Sequence, residues 1–324
     1  MHKYIIKSGM FQKGETVAVC VSGGKDSTVL AHVLHKLNNK YEYGLNLKLL
    51  SVDEGIRGYR DDSLKIVEIN KEDYQLELTV LGYEELYGMT MDDVMTNEKN
   101  VKKNSCSFCG VFRRKALEIG AKKLGACKMV LGHNADDLAE TVVLNFMRGD
   151  FQKLVSCAAD YTDDTVNKDI NDGVDSLNIH AKDIKVNKNK ENEKNTESQE
   201  KADIPVLRLK PMKYCYEKEI VLYAHYLDLK YFSTECTYAP ASTRNLARNY
   251  IKDLEKLDPR YVMNIIKYAE LLNHNFNSIN KSNTNDFVDS NKESKERVYL
   301  KCLRCGMGTP NNICKACLFV EQLS

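Results

Sequence analysis

The sequence lacks any apolar run close to the roughly 18 residues that a membrane span requires. Its first residues, MHKYIIKSGMFQKGE, also lack the apolar core of a signal peptide. The charges nearly balance, because the chain has 47 Lys and Arg residues and 46 Asp and Glu residues. A membrane protein and a wholly basic nucleic-acid binder are therefore not indicated, and any RNA contact must use a local patch. The expected location is the cytoplasm, where the 11 cysteines suggest metal or sulfur chemistry before disulfides.

The first half of the chain alternates apolar segments of strand type with segments of helical periodicity. The predicted strands are 15–21, 45–53, 75–81 and 127–131, and the predicted helices are 26–38, 60–71, 110–124 and 135–148. This order predicts an α/β fold with a doubly wound parallel sheet. In such sheets, ligands bind beyond the carboxyl ends of the strands, near the point where the strand order reverses.

A short glycine-containing loop joins the first predicted strand to the first predicted helix, in the stretch VAVCVSGGKDSTVLAHVL. Two glycines let backbone N–H groups approach a phosphate, a lysine adds a positive charge, and the helix presents its positive end. An ordinary strand-to-helix turn is the alternative, because Gly-Gly is permissive and Ser and Asp are common helix caps. The context favours phosphate binding by Ser22, Gly23, Gly24, Lys25, Asp26 and Ser27.

Two further polar segments follow predicted strands and are expected at the same edge of the sheet. Asp53 ends the second strand and could contact a ribose or an adenine, although a solvated turn carboxylate is equally compatible with Asp-Glu-Gly. After the fourth strand, a nucleotide or Mg²⁺ role is credible for Gly132, His133, Asp136 and Asp137. The two aspartates could instead only complement the dipole of the next helix.

Three cysteines form a candidate sulfur or metal centre. Cys106-Ser107-Phe108-Cys109 is a single C-x-x-C, which is compatible with half a zinc site, a redox pair or two iron–sulfur ligands. Cys236 in STECTYAP adds a third sulfur. Three protein ligands leave a metal coordination position open, which suits chemistry better than a closed structural site.

Four more cysteines close the chain as two C-x-x-C pairs separated by eight residues. Thiolates with this spacing strongly indicate a structural tetrahedral Zn²⁺ site in a compact ribbon or knuckle. Such a small module is expected to fold only with its metal. The predicted zinc ligands are Cys302, Cys305, Cys314 and Cys317.

Four arginines are candidate phosphate or RNA contacts. Charge clusters usually form solvated helix faces, but here each pair closely follows a candidate cysteine. The four are Arg113, Arg114, Arg244 and Arg248.

The loop SGGKDS resembles the SGGxDS signature of the PP-loop ATP pyrophosphatases. Further strings make the resemblance more specific, among them LLSVDEGIRGYRDDS, YEELYGMTMDDV, CSFCGVFRRKAL, GHNADDLAETVVLNFMRGD, YFSTECTYAP and CLRCG…CKACL. Together they resemble the TtcA/TtuA-type family of PP-loop tRNA sulfurtransferases, over nearly all of the chain outside its two polar insertions. Those enzymes modify the wobble uridine of tRNA.

The resemblance implies a two-step reaction. ATP bound at residues 22–27, with Mg²⁺, would adenylate the C2 oxygen of the uridine, and sulfur delivered at the three cysteines would then displace AMP. In related proteins, three such cysteines hold a [4Fe–4S] cluster, whereas a cysteine persulfide is the alternative sulfur carrier. Catalytic roles are expected for Cys106, Cys109, Cys236, Lys25 and Asp136.

The resemblance also implies partners. They are the cytoplasmic lysine, glutamate and glutamine tRNAs, a homologous subunit called tRNA 2-thiolation protein 2, and ubiquitin-related modifier 1 as sulfur donor, in a homo- or heterodimer. Family members usually carry an N-terminal zinc module, but here only His2 precedes Cys20. Loss of that module and a missing first exon are the two explanations, and neither affects the ATP or sulfur residues.

Five parts of the chain are expected. The catalytic domain would comprise 1–155 and 204–234, and 156–203 would be a disordered insertion, because NKNKENEKNTESQEK contains no aliphatic or aromatic residue. A helical tRNA-binding region at 235–277, a linker at 278–297 and the zinc module at 298–324 would follow.

Two other functions are compatible with parts of the pattern. Another PP-loop enzyme, such as tRNA lysidine synthetase or a GMP synthetase-like amidotransferase, would not need the C-x-x-C and Cys236. A non-catalytic, zinc-stabilised tRNA-binding scaffold would be expected to have an eroded nucleotide loop, whereas SGGKDS is intact.

Overall fold

The computed structural model describes residues 1–96, 105–159, 161–162, 206–234, 236, 238, 244–285, 300–309 and 311–323. Side chains of residues 105–107, 161–162, 277 and 279–285 lie outside this description, as do residues 163–203 of the predicted disordered insertion. In the described part, no helix combines the length and the apolar character that crossing a membrane would need.

Helices and strands alternate through the first two thirds of the described chain. The helices are α1 His2–Ser8, α2 Lys25–Lys40, α3 Arg60–Tyr74, α4 Tyr83–Tyr87, α5 Met91–Thr96, α6 Ser105–Lys123, α7 Ala135–Met147, α8 Phe151–Ser156, α9 Glu217–Tyr226, α10 Arg244–Leu257, α11 Arg260–Asn285 and α12 Lys315–Leu323. The strands are β1 Thr16–Cys20, β2 Asn46–Asp53, β3 Leu78–Gly82, β4 Lys128–Val130, β5 Tyr161–Thr162, β6 Leu207–Leu209, β7 Leu300–Lys301 and β8 Gly308–Thr309.

The main sheet has the strand order β3-β2-β1-β4-β6-β5. Strands β3, β2, β1, β4 and β6 are parallel, and β5 is antiparallel to β6 at the edge. The chain moves outward from β1 through β2 to β3 and then returns to the other side of β1 with β4. This reversal confirms the doubly wound fold and places the switch point between β1 and β4.

Both faces of the sheet are covered, as the apolar character of β1 predicts. Val17 and Val19 point into a core shared with α2, where Leu30 and Leu34 are fully buried. Ala18 and Cys20 point to the other face, which packs against α6 through residues that include Leu117 and Ala121. The alternation along β1 therefore assigns α2 and α6 to opposite sides of the same strand.

Two elements differ from the sequence-based expectation. Tyr161–Thr162 forms an edge strand inside the tract predicted to be disordered. Helix α11 continues to Asn285, so the first eight residues of the predicted linker 278–297 are helical. Once a helix has formed, each further residue adds a hydrogen bond, and the stretch contains no Gly or Pro to end it.

Candidate active site

The loop between β1 and α2 has the shape of a phosphate cradle. Gly23 adopts φ +72°, and a Cβ at this position would overlap the carbonyl oxygen of Ser63, so only glycine fits without strain. The Gly23 carbonyl accepts a hydrogen bond from the Phe232 amide at 2.8 Å. Gly24 is the N-cap of α2 and has no side chain with which to satisfy the helix N-terminus. The first N–H groups of α2 are thus available to an anion.

Two hydroxyl groups stabilise this loop from within. The Ser22 and Ser27 hydroxyls lie 3.2 Å apart, and Ser27 Oγ donates to the Gly24 carbonyl at 2.9 Å. The loop after β4 approaches closely, because a Cβ on Gly132 would lie 3.0 Å from the Ser27 amide nitrogen. The structure therefore brings the residues that follow β1 and β4 together at the switch point.

Lys25 is held by a carboxylate that the sequence analysis did not single out. Its Nζ lies 2.9 Å from Glu217 Oε1 and 3.8 Å from Asp26 Oδ1. The amide of Glu217, at the first position of α9, donates to Asp136 Oδ2 at 2.6 Å. Residues 216–224, YEKEIVLYA, contain two glutamates, and only the packing of α9 beside α2 shows that Glu217 is the one that pairs with Lys25.

Two acids beside Lys25 are perturbed by their surroundings. Burial raises the pKa of Asp26 to about 6, against the opposing effect of Lys25. Burial also raises the pKa of Asp136 to about 6, although the Glu217 amide opposes this shift. Near neutral pH both carboxyls are mostly ionised, at a cost to the folded state.

We expect Asp26→Asn to stabilise the unliganded protein more at pH 8 than at pH 4. The folded-state pKa of about 6 lies above the ordinary 3.8, so the folded state holds this proton more tightly than the unfolded state does. The contribution of this carboxyl to the free energy of unfolding is therefore full at low pH and is lost as pH rises to about 6. The neutral amide avoids that loss, and the extra gain in Tm at pH 8 should be on the order of 2–4 °C. Thermal unfolding at both pH values measures it. The exposed Asp73→Asn is the control, and an equal gain at both pH values would contradict the expectation.

The other nucleotide candidates make contacts within the protein. Asp53 Oδ1 accepts a hydrogen bond from the Gly55 amide at 2.9 Å, and its Oδ2 accepts one from Arg60 at 2.6 Å. Asp137 forms a capping box with Asn134 at the start of α7. These contacts fix both carboxylates at the sheet edge, and their contact with a nucleotide stays a prediction.

His133 is exposed on the loop after β4. Desolvation lowers its pKa, against the opposing effect of Asp137. The imidazole is therefore neutral at pH 7 and can both donate and accept a hydrogen bond.

The structure brings two of the three candidate cysteines together. Cys109 lies in α6, and Cys236 packs into the same apolar cluster. Burial is the largest cause that raises the pKa of Cys109, Arg113 opposes it, and Cys236 adds a smaller increase. The backbone of Cys106 lies in the first turn of α6, but its side chain is outside the described part.

Polar groups surround the Cys109 thiol. The Tyr83 hydroxyl donates to the Cys109 carbonyl at 3.0 Å and lies 3.7 Å from its Sγ. Arg113 Nη2 lies 3.6 Å from the same Sγ, while its Nε donates to Glu54 Oε1 at 2.8 Å. A guanidinium at this distance stabilises negative charge on the sulfur. Tyr83 and Glu54 were not predicted, since neither belongs to a local sequence pattern for sulfur chemistry.

One segment connects the phosphate cradle to the thiols. Phe232 forms a backbone bridge with Gly24, and Cys236 follows four residues later beside Cys109. Four extended residues span at most about 14 Å. The ring of Tyr59 lies 5.1 Å from Phe232. Cys236 therefore lies within about 14 Å of Phe232, which pairs with the phosphate cradle.

The four candidate arginines have partners within the chain. Arg244 Nε and Arg248 Nε lie 2.7 and 3.1 Å from the buried carboxylate of Glu140, so they hold α10 against α7. Arg113 pairs with Glu54 as described, and Arg114 is exposed on α6. A contact of these arginines with RNA stays a prediction.

The C-terminal cysteines form a second cluster. The Sγ atoms of Cys302, Cys305, Cys314 and Cys317 all lie within 4.8 Å of one another. The sulfurs of Cys305 and Cys314 are 3.8 Å apart, and ligands at the ~2.3 Å Zn–S distance occupy tetrahedral corners about 3.8 Å apart. The amide of Cys314 donates to Cys302 Sγ at 3.3 Å. These four residues fit a tetrahedral metal ion.

Comparisons with known proteins point to one family. A PP-loop domain family model matches residues 2–255. The chain is 44% identical to cytoplasmic tRNA 2-thiolation protein 1 of Caenorhabditis briggsae, and the match covers all of this chain and 72% of that protein. It is 43% identical to the protein of the same name from Saccharomyces cerevisiae, over all of this chain and 77% of that protein.

A solved structure is also similar. It is the U34-tRNA thiolase NcsA from Methanococcus maripaludis with its [4Fe–4S] cluster, with a TM-score of 0.65 and 26% identity. The match covers 97% of this chain and 82% of that one.

Proposed function

This chain belongs to the PP-loop domain family and to the family of cytoplasmic tRNA 2-thiolation protein 1, and from this premise we propose that it transfers sulfur to C2 of the wobble uridine after adenylating the C2 oxygen. Thiolation of tRNA is the activity that the family's name states. The adenylation step, the wobble position and the residue roles below are the proposal.

The observation that carries the proposal is the segment from Phe232 to Cys236. It fixes the phosphate cradle through Gly23 and Gly24 at one end and supplies a thiol beside Cys109 at the other. A reaction that first activates an oxygen with ATP and then attacks the same carbon with sulfur needs both groups at one substrate atom.

The cradle would bind the phosphates of ATP. The N–H groups at Gly24 and in the first turn of α2 would hold the phosphate oxygens, and Lys25 would exchange Glu217 for a phosphate. Asp26 and Asp137 lie close enough to interact, and Asp136 accepts a hydrogen bond from the amide of Glu217, whose side chain pairs with Lys25. The three aspartates would hold the Mg²⁺ that accompanies ATP.

The first step moves an adenylyl group. The C2 oxygen of the uridine attacks the α-phosphorus of ATP, the bond between the α-phosphorus and the bridging oxygen breaks, and pyrophosphate leaves. The product carries AMP on the C2 oxygen, so that oxygen becomes a good leaving group. Positive charge from Lys25 would stabilise the negative charge that develops on the phosphates.

The second step replaces oxygen by sulfur without a net change in oxidation state. A sulfide-level sulfur attacks C2, the C2–O bond breaks, and AMP leaves with the oxygen. Cys106, Cys109 and Cys236 would hold a [4Fe–4S] cluster, which supplies an open iron for the incoming sulfur. Arg113 would keep negative charge on the Cys109 sulfur, and Glu54 would orient Arg113.

We also propose a zinc ion, the tRNA substrates, a sulfur donor and a second subunit. The four C-terminal thiolates would close around Zn²⁺ and leave no position for chemistry. The tRNAs would be those for lysine, glutamate and glutamine, with ubiquitin-related modifier 1 as sulfur donor. A homologous tRNA 2-thiolation protein 2 subunit would complete a dimer in the cytoplasm.

The proposal is tested by product stoichiometry. The full chain, purified without oxygen, is incubated with ATP, Mg²⁺, sulfide and an unmodified lysine tRNA transcript. We expect pyrophosphate, AMP and 2-thiouridine in equal amounts. A transcript with cytidine at the wobble position is the matched control and should yield none of the three above background. A preparation that binds the tRNA but releases no pyrophosphate would overturn the proposal in favour of a scaffold.

A further inference from the structure

Helix α4 packs in the apolar cluster that also contains cysteines of both groups, among them Cys109 and Cys314. It carries two tyrosines four residues apart, with rings 5.5 Å from each other. The Tyr83 hydroxyl donates to the Cys109 carbonyl. The Tyr87 hydroxyl donates to the Phe112 carbonyl at 2.8 Å. The tyrosine pair therefore holds α6 from within the cluster that the C-terminal module shares.

The C-terminal module also packs directly on α6. Phe319 of α12 lies 4.5 Å from Phe108 and 6.3 Å from Phe112 between ring centroids. Phe108 immediately precedes Cys109. One turn further along, Lys115 is buried and donates from Nζ to the Gly308 carbonyl of β8 at 3.2 Å. The module thus contacts three successive turns of the helix that carries Cys109.

Phe108 and Phe112 flank Cys109 on α6, and both pack against Phe319. Cys106 and Cys109 lie in the first two described turns of the helix. The packing of these turns against the C-terminal module therefore helps to set the position of Cys109.

We propose that the module formed by residues 300–323 is a positioning element for the sulfur-transfer centre. Phe319 of this module, together with Tyr87 of the neighbouring α4, packs against α6 and keeps the Cys109 thiol in register with Cys236. This role rests on the function proposed for the three cysteines. It differs from that of an RNA-binding appendage, because it acts through α6 and needs no contact with tRNA.

The test compares Phe319→Ala with Leu318→Ala, the neighbouring and more exposed position on α12. Hydrogen exchange of the full chain is followed in peptides from residues 108–116 and, as an internal reference, from residues 17–34. For Phe319→Ala we expect exchange at 108–116 to rise by about tenfold or more. Exchange at 17–34 and the zinc content should not change. Leu318→Ala should leave both peptides as in the wild type.

Two further measurements separate positioning from general loss of stability. Alkylation of Cys109, followed by mass spectrometry, should be about tenfold faster in Phe319→Ala. Thiolation should fall by about 10- to 100-fold, because a displacement near 1 Å is enough for such a loss. Tyr87→Phe keeps the ring and removes only the bond to Phe112, so it should show the same changes at smaller amplitude.

Exchange and alkylation need no substrate, so their outcome is independent of whether the chain thiolates tRNA. Wild-type exchange at 108–116 in both Phe319→Ala and Tyr87→Phe would overturn the inference, and so would an equal rise in both peptides. Weaker tRNA binding by Phe319→Ala with unchanged exchange and alkylation would also overturn it, in favour of an RNA-binding module. An inactive wild type with the expected exchange pattern would reject the proposed function and leave the clamp standing.

Discussion

Replacing Cys236 with alanine is expected to abolish tRNA thiolation while leaving ATP binding intact. Cys236 supplies a sulfur beside Cys109, whereas the segment that carries it is fixed to the phosphate cradle four residues earlier, through Phe232. The substitution removes the thiol and leaves that backbone contact in place. We expect at least about a 10³-fold loss of 2-thiouridine formation, as when a nucleophile or essential ligand is removed.

Metal analysis of the same variant tests the proposed ligands. Cys236→Ala should lose iron and acid-labile sulfide and retain one zinc ion, because the C-terminal cluster uses four other thiols. The matched control is Cys127→Ala, which removes an exposed cysteine outside both clusters. Wild-type levels of 2-thiouridine in cells that contain only Cys236→Ala would end the proposal for this centre.

Lys25→Met is expected to impair both ATP use and thiolation. The Lys25 ammonium is the positive charge of the glycine loop, and in the unliganded chain Glu217 holds it at 2.9 Å. Methionine keeps most of the side-chain volume but removes the charge that would meet the phosphates. We expect tRNA-dependent pyrophosphate release to fall by about 10²-fold or more, the magnitude typical of losing one charged group at a transferring phosphoryl centre.

The control for this variant is Lys36→Met, which removes an exposed lysine near the other end of α2. It should release pyrophosphate at the wild-type rate. Iron and sulfide contents should be unchanged in both lysine variants, because neither lysine is a proposed ligand of the iron–sulfur cluster. Pyrophosphate release by Lys25→Met within threefold of wild type, with a similar KM for ATP, would contradict the role given to the loop.

Several features of the fold follow from short-range patterns. The alternation of apolar residues in β1 and the helical spacing after Lys25 predict a strand, a turn and a helix, and the structure has them at Thr16–Cys20 and Lys25–Lys40. Gly23 adopts a positive φ, which a residue without a Cβ adopts at little energetic cost. The doubly wound order was likewise predictable, because parallel strands need helical crossovers of one hand.

Other features depend on contacts that no local pattern encodes. The position of Arg244 and Arg248 after Cys236 suggested a contact with RNA, and only the fold shows that both also pair with the buried Glu140. Glu217 and Tyr83 lie 192 and 26 residues from the groups they bind. Side chains this far apart meet only because the sheet and its helices bring them together.

By itself, the sequence determined which chemical groups this chain carries and in which order its strands follow one another. The groups are a glycine-containing loop suited to phosphate, the cysteines at 106, 109 and 236, and the four C-terminal cysteines. Those properties depend on residue identity and on spacing within a few turns of chain. Only the tertiary structure decided which groups lie together. Lys25 forms a salt bridge with Glu217, Cys109 lies near Cys236, and the C-terminal module packs on α6. Such pairings arise because the folded chain must bury its apolar surface and satisfy its charges together, which is a condition on the whole chain and not on any one segment of it.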